Sequence, residues 1–271
     1  MNPEHIFNRI SFLQKIRTAL GQPAGKSRNF NEVFSGTRSQ SAYLLNKIKN
    51  RSAPDRNRLL DRLIQEAILL NLKVIPVPIA ADAAQAIAEL VRDRTPEWSD
   101  AKSLVAWRHP LIDSLNLPEC LKEQGVPVYV PGPEPDDSGL FRLRSQTALI
   151  GVTSADYCIA ESASLVLKTR PEQPGMVSLL PSIHVAVITE KHLIESLAEC
   201  YALMKQGPES ENEGLTSCMT VISGPSKTAD IEAVMVHGAH GPREVIIYVI
   251  LDGFFHSDSI DPVTDIVEDI G

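Results

Sequence analysis

Three short stretches carry residues able to do chemistry. The first is Ser223-Gly-Pro-Ser-Lys-Thr228, a turn with three hydroxyls and one lysine. If it feeds a helix, Gly224, Ser226, Lys227 and Thr228 offer backbone N–H groups, a positive dipole end and a cation to an anion. Capping of that helix by Ser226 or Thr228 fits the same residues equally well. The turn is not a nucleotide P-loop, which needs G-x-x-x-x-G-K-[ST]; here Ser226 precedes the lysine and Pro225 removes a donor. The second stretch is His237-Gly-Ala-His240-Gly-Pro242. Its two histidines lack a third metal ligand at fixed spacing, so no metal site is expected. His240, pinned by Gly241-Pro242, suits an acid or base near neutral pH, or a residue that bonds backbone and stiffens the turn.

The third stretch joins Thr153-Ser-Ala-Asp156 to Glu161-Ser162-Ala-Ser164. Hydroxyls and two carboxylates around one strand suit a small polar ligand, with Glu161 placed as base or nucleophile. Asp156 equally fits a turn residue that bonds its own backbone. His184, downstream of Ser178-Leu-Leu-Pro181, fits a satisfied core histidine better than a ligand.

These residues need elements to position them. Residues 219–253 read as strand, glycine turn, helix (228–236, with Ile231, Val234 and Met235 on one face) and a buried strand at 245–251, a βαβ unit whose strand ends suit a ligand. Ahead of it, Asn2-Pro3-Glu4 starts an amphipathic helix with Ile6, Ile10, Leu13, Ile16 and Leu20, followed by a polar linker at 22–36. Helices are expected at 38–50 and 55–71. Strands at 74–77, 104–107 and 126–130 then alternate with helices at 81–94 and 118–124, and a helix follows at 140–148. Pro76 and Pro78 mark the first strand as short or at an edge. Apolar segments 157–160 and 165–167 suggest a hairpin with Glu161 at its corner; a strand at 184–188, a helix at 193–204 and a surface loop at 206–217 follow. The rhythm predicts an α/β fold, a three-layer domain with a mostly parallel sheet preceded by N-terminal helices. The expected divisions are 1–50, 51–253 and an acidic tail at 254–271.

A chain of 271 residues with 43% hydrophobic content can bury roughly 75% of its surface around one core. A net charge of −8 excludes nucleic acid as the main partner, since that requires a basic footprint. The first twenty residues carry charges throughout, and no apolar run is long enough to span a bilayer, so a cytoplasmic protein is expected. Cysteines at 120, 158, 200 and 218 are too far apart for a C-x-x-C pair or for iron–sulfur ligation by this chain.

Taken in order, several motifs resemble the LUD-domain family, in the branch of lactate utilisation protein C. They are Gly151-Val-Thr-x-Ala155-Asp156, Ile159-Ala-Glu161, Ser178-Leu-Leu-Pro181-x-x-His184-Val, Gly224-Pro-Ser-Lys-Thr-Ala-Asp230-Ile-Glu232, Gly238-Ala-His240-Gly-Pro242 and Leu251-Asp252, within residues 145–253. Ile16-Arg17-x-Ala19-Leu20-Gly21 also fits. The family commonly has Glu-Thr-Gly-Thr or Glu-Thr-Gly-Ser where this chain has Glu161-Ser162-Ala163-Ser164. An alanine there is expected to resist a left-handed turn.

The resemblance implies a NagB/RpiA/CoA transferase-like fold. It also implies a non-redox subunit in the oxidation of L-lactate to pyruvate, working beside iron–sulfur partner proteins on a small anionic ligand. Its cofactor is left open. Two other readings stand beside this one: a stand-alone enzyme on an anionic or acyl substrate using Glu161, and a binding or scaffold module without chemistry.

Overall fold

The computed structural model describes residues 15, 18, 41–132, 137–206, 218–229, 235–237 and 241–251. Residues 1–43 group apart from the rest, and the larger unit begins at Leu44. It opens with the end of a helix at residues 44–49 (α1). Ser52 then caps α2 (Ala53–Leu70): its hydroxyl accepts the Asp55 amide, and the Asp55 carboxylate accepts the Ser52 N–H. Asn71 ends the helix in the left-handed conformation. Leu59, Leu60, Leu63 and Ala67 form its buried stripe.

From there strand and helix alternate. The elements are β1 (Lys73–Val77), α3 (Ala80–Asp93), β2 (Leu104–Ala106), α4 (Pro110–Asp113), α5 (Leu117–Cys120), β3 (Val128–Tyr129), α6 (Asp137–Thr147) and β4 (Ile150–Thr153). A hairpin, β5 (Tyr157–Ile159) and β6 (Ser164–Lys168), leads to α7 (Met176–Leu179), β7 (Ile183–Thr189), β8 (Leu193–Ile194) and α8 (Leu197–Gln206). The chain closes with β9 (Met219–Ile222), β10 (Lys227–Ala229), β11 (Met235–His237) and β12 (Glu244–Ile250).

Six strands form one sheet in the order β1-β12-β7-β4-β2-β3, and every neighbouring pair is parallel. Parallel strands are covered on both faces, which is why β7 and the last six residues of β12 are buried throughout. One face packs on α3, α4 and α5 through Ala83, Ile87, Val91, Leu111 and Leu117. The other packs on α2, on Phe141 of α6, on Val177 of α7 and on a second sheet of order β8-β5-β6-β9. This is the expected three-layer α/β arrangement. β1, with Pro76, is an edge strand as its prolines required.

The expected βαβ unit at the C-terminal end is not formed. Met219–Ile222 pairs with β6 in the second sheet, whereas β12 lies in the first. Both ends of the expected helix at 228–236 are strands instead, β10 and β11, paired antiparallel with Lys227 opposite His237. The apolar spacing that suggested a helix spans barely two turns, and Thr228, Val234 and Val236 are β-branched residues that also suit strands. A second difference is β4. Gly151 and Thr153 interrupt its apolar pattern, which hid a strand that is buried along its whole length. The expected helix at 118–124 shortens to α5, capped by Leu121, and the chain continues as turns to Gly125 at φ 65°. Of the expected loop at 206–217, Gln206 ends α8 and residues 207–217 lie outside the described residues, as does the tail.

Candidate functional site

In the parallel sheet, the chain leaves β2 toward β3 along one face and leaves β4 toward β7 along the other. The carboxyl ends of β2 and β4 therefore flank the topological switch point, where open α/β sheets form their ligand crevice. β2 delivers Trp107, Arg108 and His109; β4 delivers Thr153, Ser154 and Asp156; β7 delivers Thr189 and His192. The turn between β6 and α7 is drawn over the same edge. Arg108 N donates to Glu172 O at 3.2 Å, and the Trp107 indole donates to Pro174 O at 3.0 Å.

Asp156 is the hub of this edge. One carboxylate oxygen accepts the Lys168 amide at 2.7 Å, and the other accepts the Arg170 guanidinium at 2.8 Å, with Lys168 Nζ at 3.9 Å. His109 caps α4, its Nδ1 accepting the Leu111 amide at 3.2 Å. His192 Nδ1 accepts the Thr189 amide at 3.1 Å. A nitrogen that accepts from a backbone amide cannot also carry the proton, so the neutral His109 ring is protonated on Nε2. Burial first, and then the neighbouring His192, pull the His109 imidazole down to about 4; Asp156 acts upward and Arg170 downward. At neutral pH His109 is an uncharged N–H donor beside an Asp–Arg pair.

The other expected residues fall in two further places. Glu161 is the middle residue of the 3₁₀ turn, Ala160–Ser162, that joins β5 to β6, and its carboxylate accepts the Leu197 amide at 3.1 Å at the start of α8. It stands at the opposite end of β5 from Asp156, so the two carboxylates do not form one cluster. Ala163, against expectation, holds a left-handed conformation (φ 43°, ψ 49°) at this corner. It does so with its methyl wholly buried in the core, which resists release of the turn. Ser162 and Ser164 share a hydrogen bond of 2.8 Å, and Ser164 meets Ser223 at 2.6 Å. The corner and the Gly224 turn are therefore neighbours through Ser164 and Ser223. Gly224 has φ 97° and rests on Leu70, and the Ser226 amide donates to Pro242 O at 2.8 Å. Lys227 is exposed. Lys227–Ala229, including Thr228, is strand rather than helix start, so the anion reading of this turn loses its dipole. His240 lies outside the described residues.

Thr153 and His184 form the third place, a buried pair bonded at 2.8 Å between Oγ1 and Nε2. Burial alone lowers His184 to about 3, so the ring is neutral, in keeping with a core histidine. Its Nδ1 and the buried hydroxyls of Ser154 and Ser182 have no partner among the described residues.

A family model described as LUD domain matches residues 60–250 of this chain. The chain belongs to the LUD-domain family. Lactate utilization protein C of Shouchella clausii is 29% identical over 251 residues, covering 91% of this chain and 99% of that protein. The protein of the same name from Halalkalibacterium halodurans is 33% identical over 162 residues, covering 59% and 67%. Uncharacterized protein YkgG of Escherichia coli is 27% identical, covering 90% and 99%. The crystal structure of a DUF162 family protein from Deinococcus radiodurans aligns at 20% identity with a TM-score of 0.48, covering 72% of this chain and 98% of that one.

Within this LUD domain the motif glycine Gly151 has a packing reason. A Cβ there would lie 1.8 Å from Val177 O and 2.9 Å from the Pro181 ring, because α7 crosses directly over β4. The Gly-Val-Thr motif thus fixes α7 and, with it, the turn that covers the switch point. Sequence reading found Asp156 but missed His109, His192, Lys168 and Arg170. A usable signal existed: Arg108-His109 directly follows an expected strand, and strand ends are where α/β sheets place ligand groups.

Proposed function

We propose that this chain serves lactate utilisation as a non-redox subunit beside iron–sulfur partner proteins, and that it holds a small hydroxy- or keto-carboxylate at the carboxyl ends of β2, β4 and β7. The observation that carries the reading is the near full-length likeness to proteins named lactate utilization protein C. The switch-point edge suits such a ligand: imidazole N–H groups on His109 and His192 offer hydrogen bonds to carboxylate or carbonyl oxygens, and Arg170 supplies positive charge. Assignment of the electron path to partners agrees with the spacing of the cysteines, at 120, 158, 200 and 218, none of which forms the closely spaced ligand pair that clusters use. Among the described residues no helix is long and apolar enough to cross a membrane.

The test has two arms. Deletion of the gene should abolish growth on L-lactate, and the tagged chain should co-purify with proteins absorbing near the iron–sulfur region. Normal growth on lactate after deletion would remove the physiological role. Titration of the purified chain with L-lactate and pyruvate addresses the site: binding lost in Arg170→Gln and His109→Asn supports it, and binding unchanged in both refutes it.

A further inference from the structure

A cavity of about 380 Å³ opens at the opposite, amino-terminal end of the sheet, under the starts of β2 and β3. Lys102 and Ser103 precede β2, Val126 and Pro127 precede β3, and Arg144 and Thr147 reach in from α6. Its size is within the range, roughly 300–1,000 Å³, of small-molecule sites. Two cations face it in fixed positions. The Arg144 guanidinium is stacked over the Tyr129 ring at 4.1 Å, which fixes its plane and leaves its edge N–H groups in plane for an acceptor. Lys102 Nζ donates to Val91 O at 2.7 Å and Arg92 O at 2.8 Å, the last carbonyls of α3, which leaves a third proton.

The electrostatic contrast is the telling feature. The chain carries a net charge of −8, yet among the described residues lining the cavity none is acidic. Two anchored positive charges without a carboxylate across from them mark a place for an anion, and Val126, Pro127 and Tyr129 give it an apolar wall. We propose that this cavity is a second ligand site, separate from the switch-point edge, for a small organic anion. The anionic oxygens bond Arg144 and Lys102 while the flat or apolar body lies along Val126 and Pro127. Carboxylates and phosphate esters share this chemistry.

Isothermal titration of the whole chain with benzoate and, separately, adenosine 5′-monophosphate distinguishes the two sources. At least one probe is expected to bind at one site with a Kd below about 1 mM, weakened about tenfold or more both in Arg144→Gln, which removes the charge, and in Ala101→Phe, which fills the space. His109→Asn, at the other end of the sheet, should leave this Kd unchanged. The proposal is overturned if neither probe binds at 10 mM, on the order of ten times that limit. It is also overturned if both variants, shown folded by circular dichroism, bind as the parent does.

Discussion

Replacing His109 with asparagine should make the fold less sensitive to acid. In the native state the imidazole titrates at about 4, whereas it titrates at 6.5 when unperturbed. Between those values the unfolded chain holds a proton that the folded chain cannot, so stability falls as pH falls. The contribution is fully present above pH 6.5, declines through the window from 6.5 to about 4, and levels off below it. At about 1.36 kcal/mol per pH unit, the whole window corresponds to about 3 kcal/mol, and at pH 5 about 2 kcal/mol of it is gone. Asparagine removes the titration but retains the cap on α4, because its side-chain oxygen can accept the Leu111 amide as Nδ1 does. Comparison of the two proteins cancels the titration of every group that does not interact with His109. Urea unfolding followed by fluorescence of Trp98 and Trp107, at pH 7, 6, 5 and 4.5, gives the stability difference at each pH. The variant should gain on the parent by about 1.4 kcal/mol for each unit below 6.5. A difference that stays flat within about 0.5 kcal/mol from pH 7 to 4.5 would refute the claim that His109 is held neutral in the fold.

Other substitutions probe separate joints. Gly151→Ala should cost more than about 3 kcal/mol, above the usual overpacking range, because the new methyl meets backbone of α7 rather than a movable side chain; thermal unfolding or loss of soluble protein reports it. Gly224→Ala should cost about 1–3 kcal/mol, since φ 97° strains an alanine and its Cβ would lie 3.2 Å from Leu70 O, and denaturant titration measures it. Glu199→Ala should cost about 3–5 kcal/mol. That change strands Arg51, which bonds both Glu199 oxygens at 2.8 and 2.9 Å, and the pair Arg51→Met with Glu199→Leu should recover most of the lost melting temperature.

Elements whose patterns are long were legible in the sequence, and those whose pattern is set by a neighbour were not. α2, α3, β7 and β12 announce themselves through caps, stripes and β-branched runs. β4 does not, because Gly151 answers to α7 and Thr153 to His184, and neither partner is visible from local spacing. The β10–β11 pairing was hidden by helical spacing over a window too short to decide between periods. Away from the switch-point edge, the Glu161 corner was readable because the β5–β6 hairpin is local. His109 meets Asp156 and His192 only once the strand order is set, so their grouping is a property of topology. Ala163 shows the limit of residue preference, since a left-handed turn is held by burial where glycine would be the easier choice.

The position of β12 has a consequence for how the chain comes to be folded. Among the described residues it is the last strand in sequence, yet it lies between β1 and β7, pairing with the first strand of the sheet on one side. Until Glu244–Ile250 has been synthesised, β1 has no strand to pair with, and β7 presents an open apolar edge. Closure of so long a loop comes late and slowly. A nascent chain therefore carries an unfinished sheet until Glu244–Ile250 emerges, with strand edges open to wrong pairing. A chain cut before Glu244 would lose a central strand and strand β1, so pulse-labelled nascent chains stalled ahead of that point should remain protease-sensitive while the released chain becomes resistant.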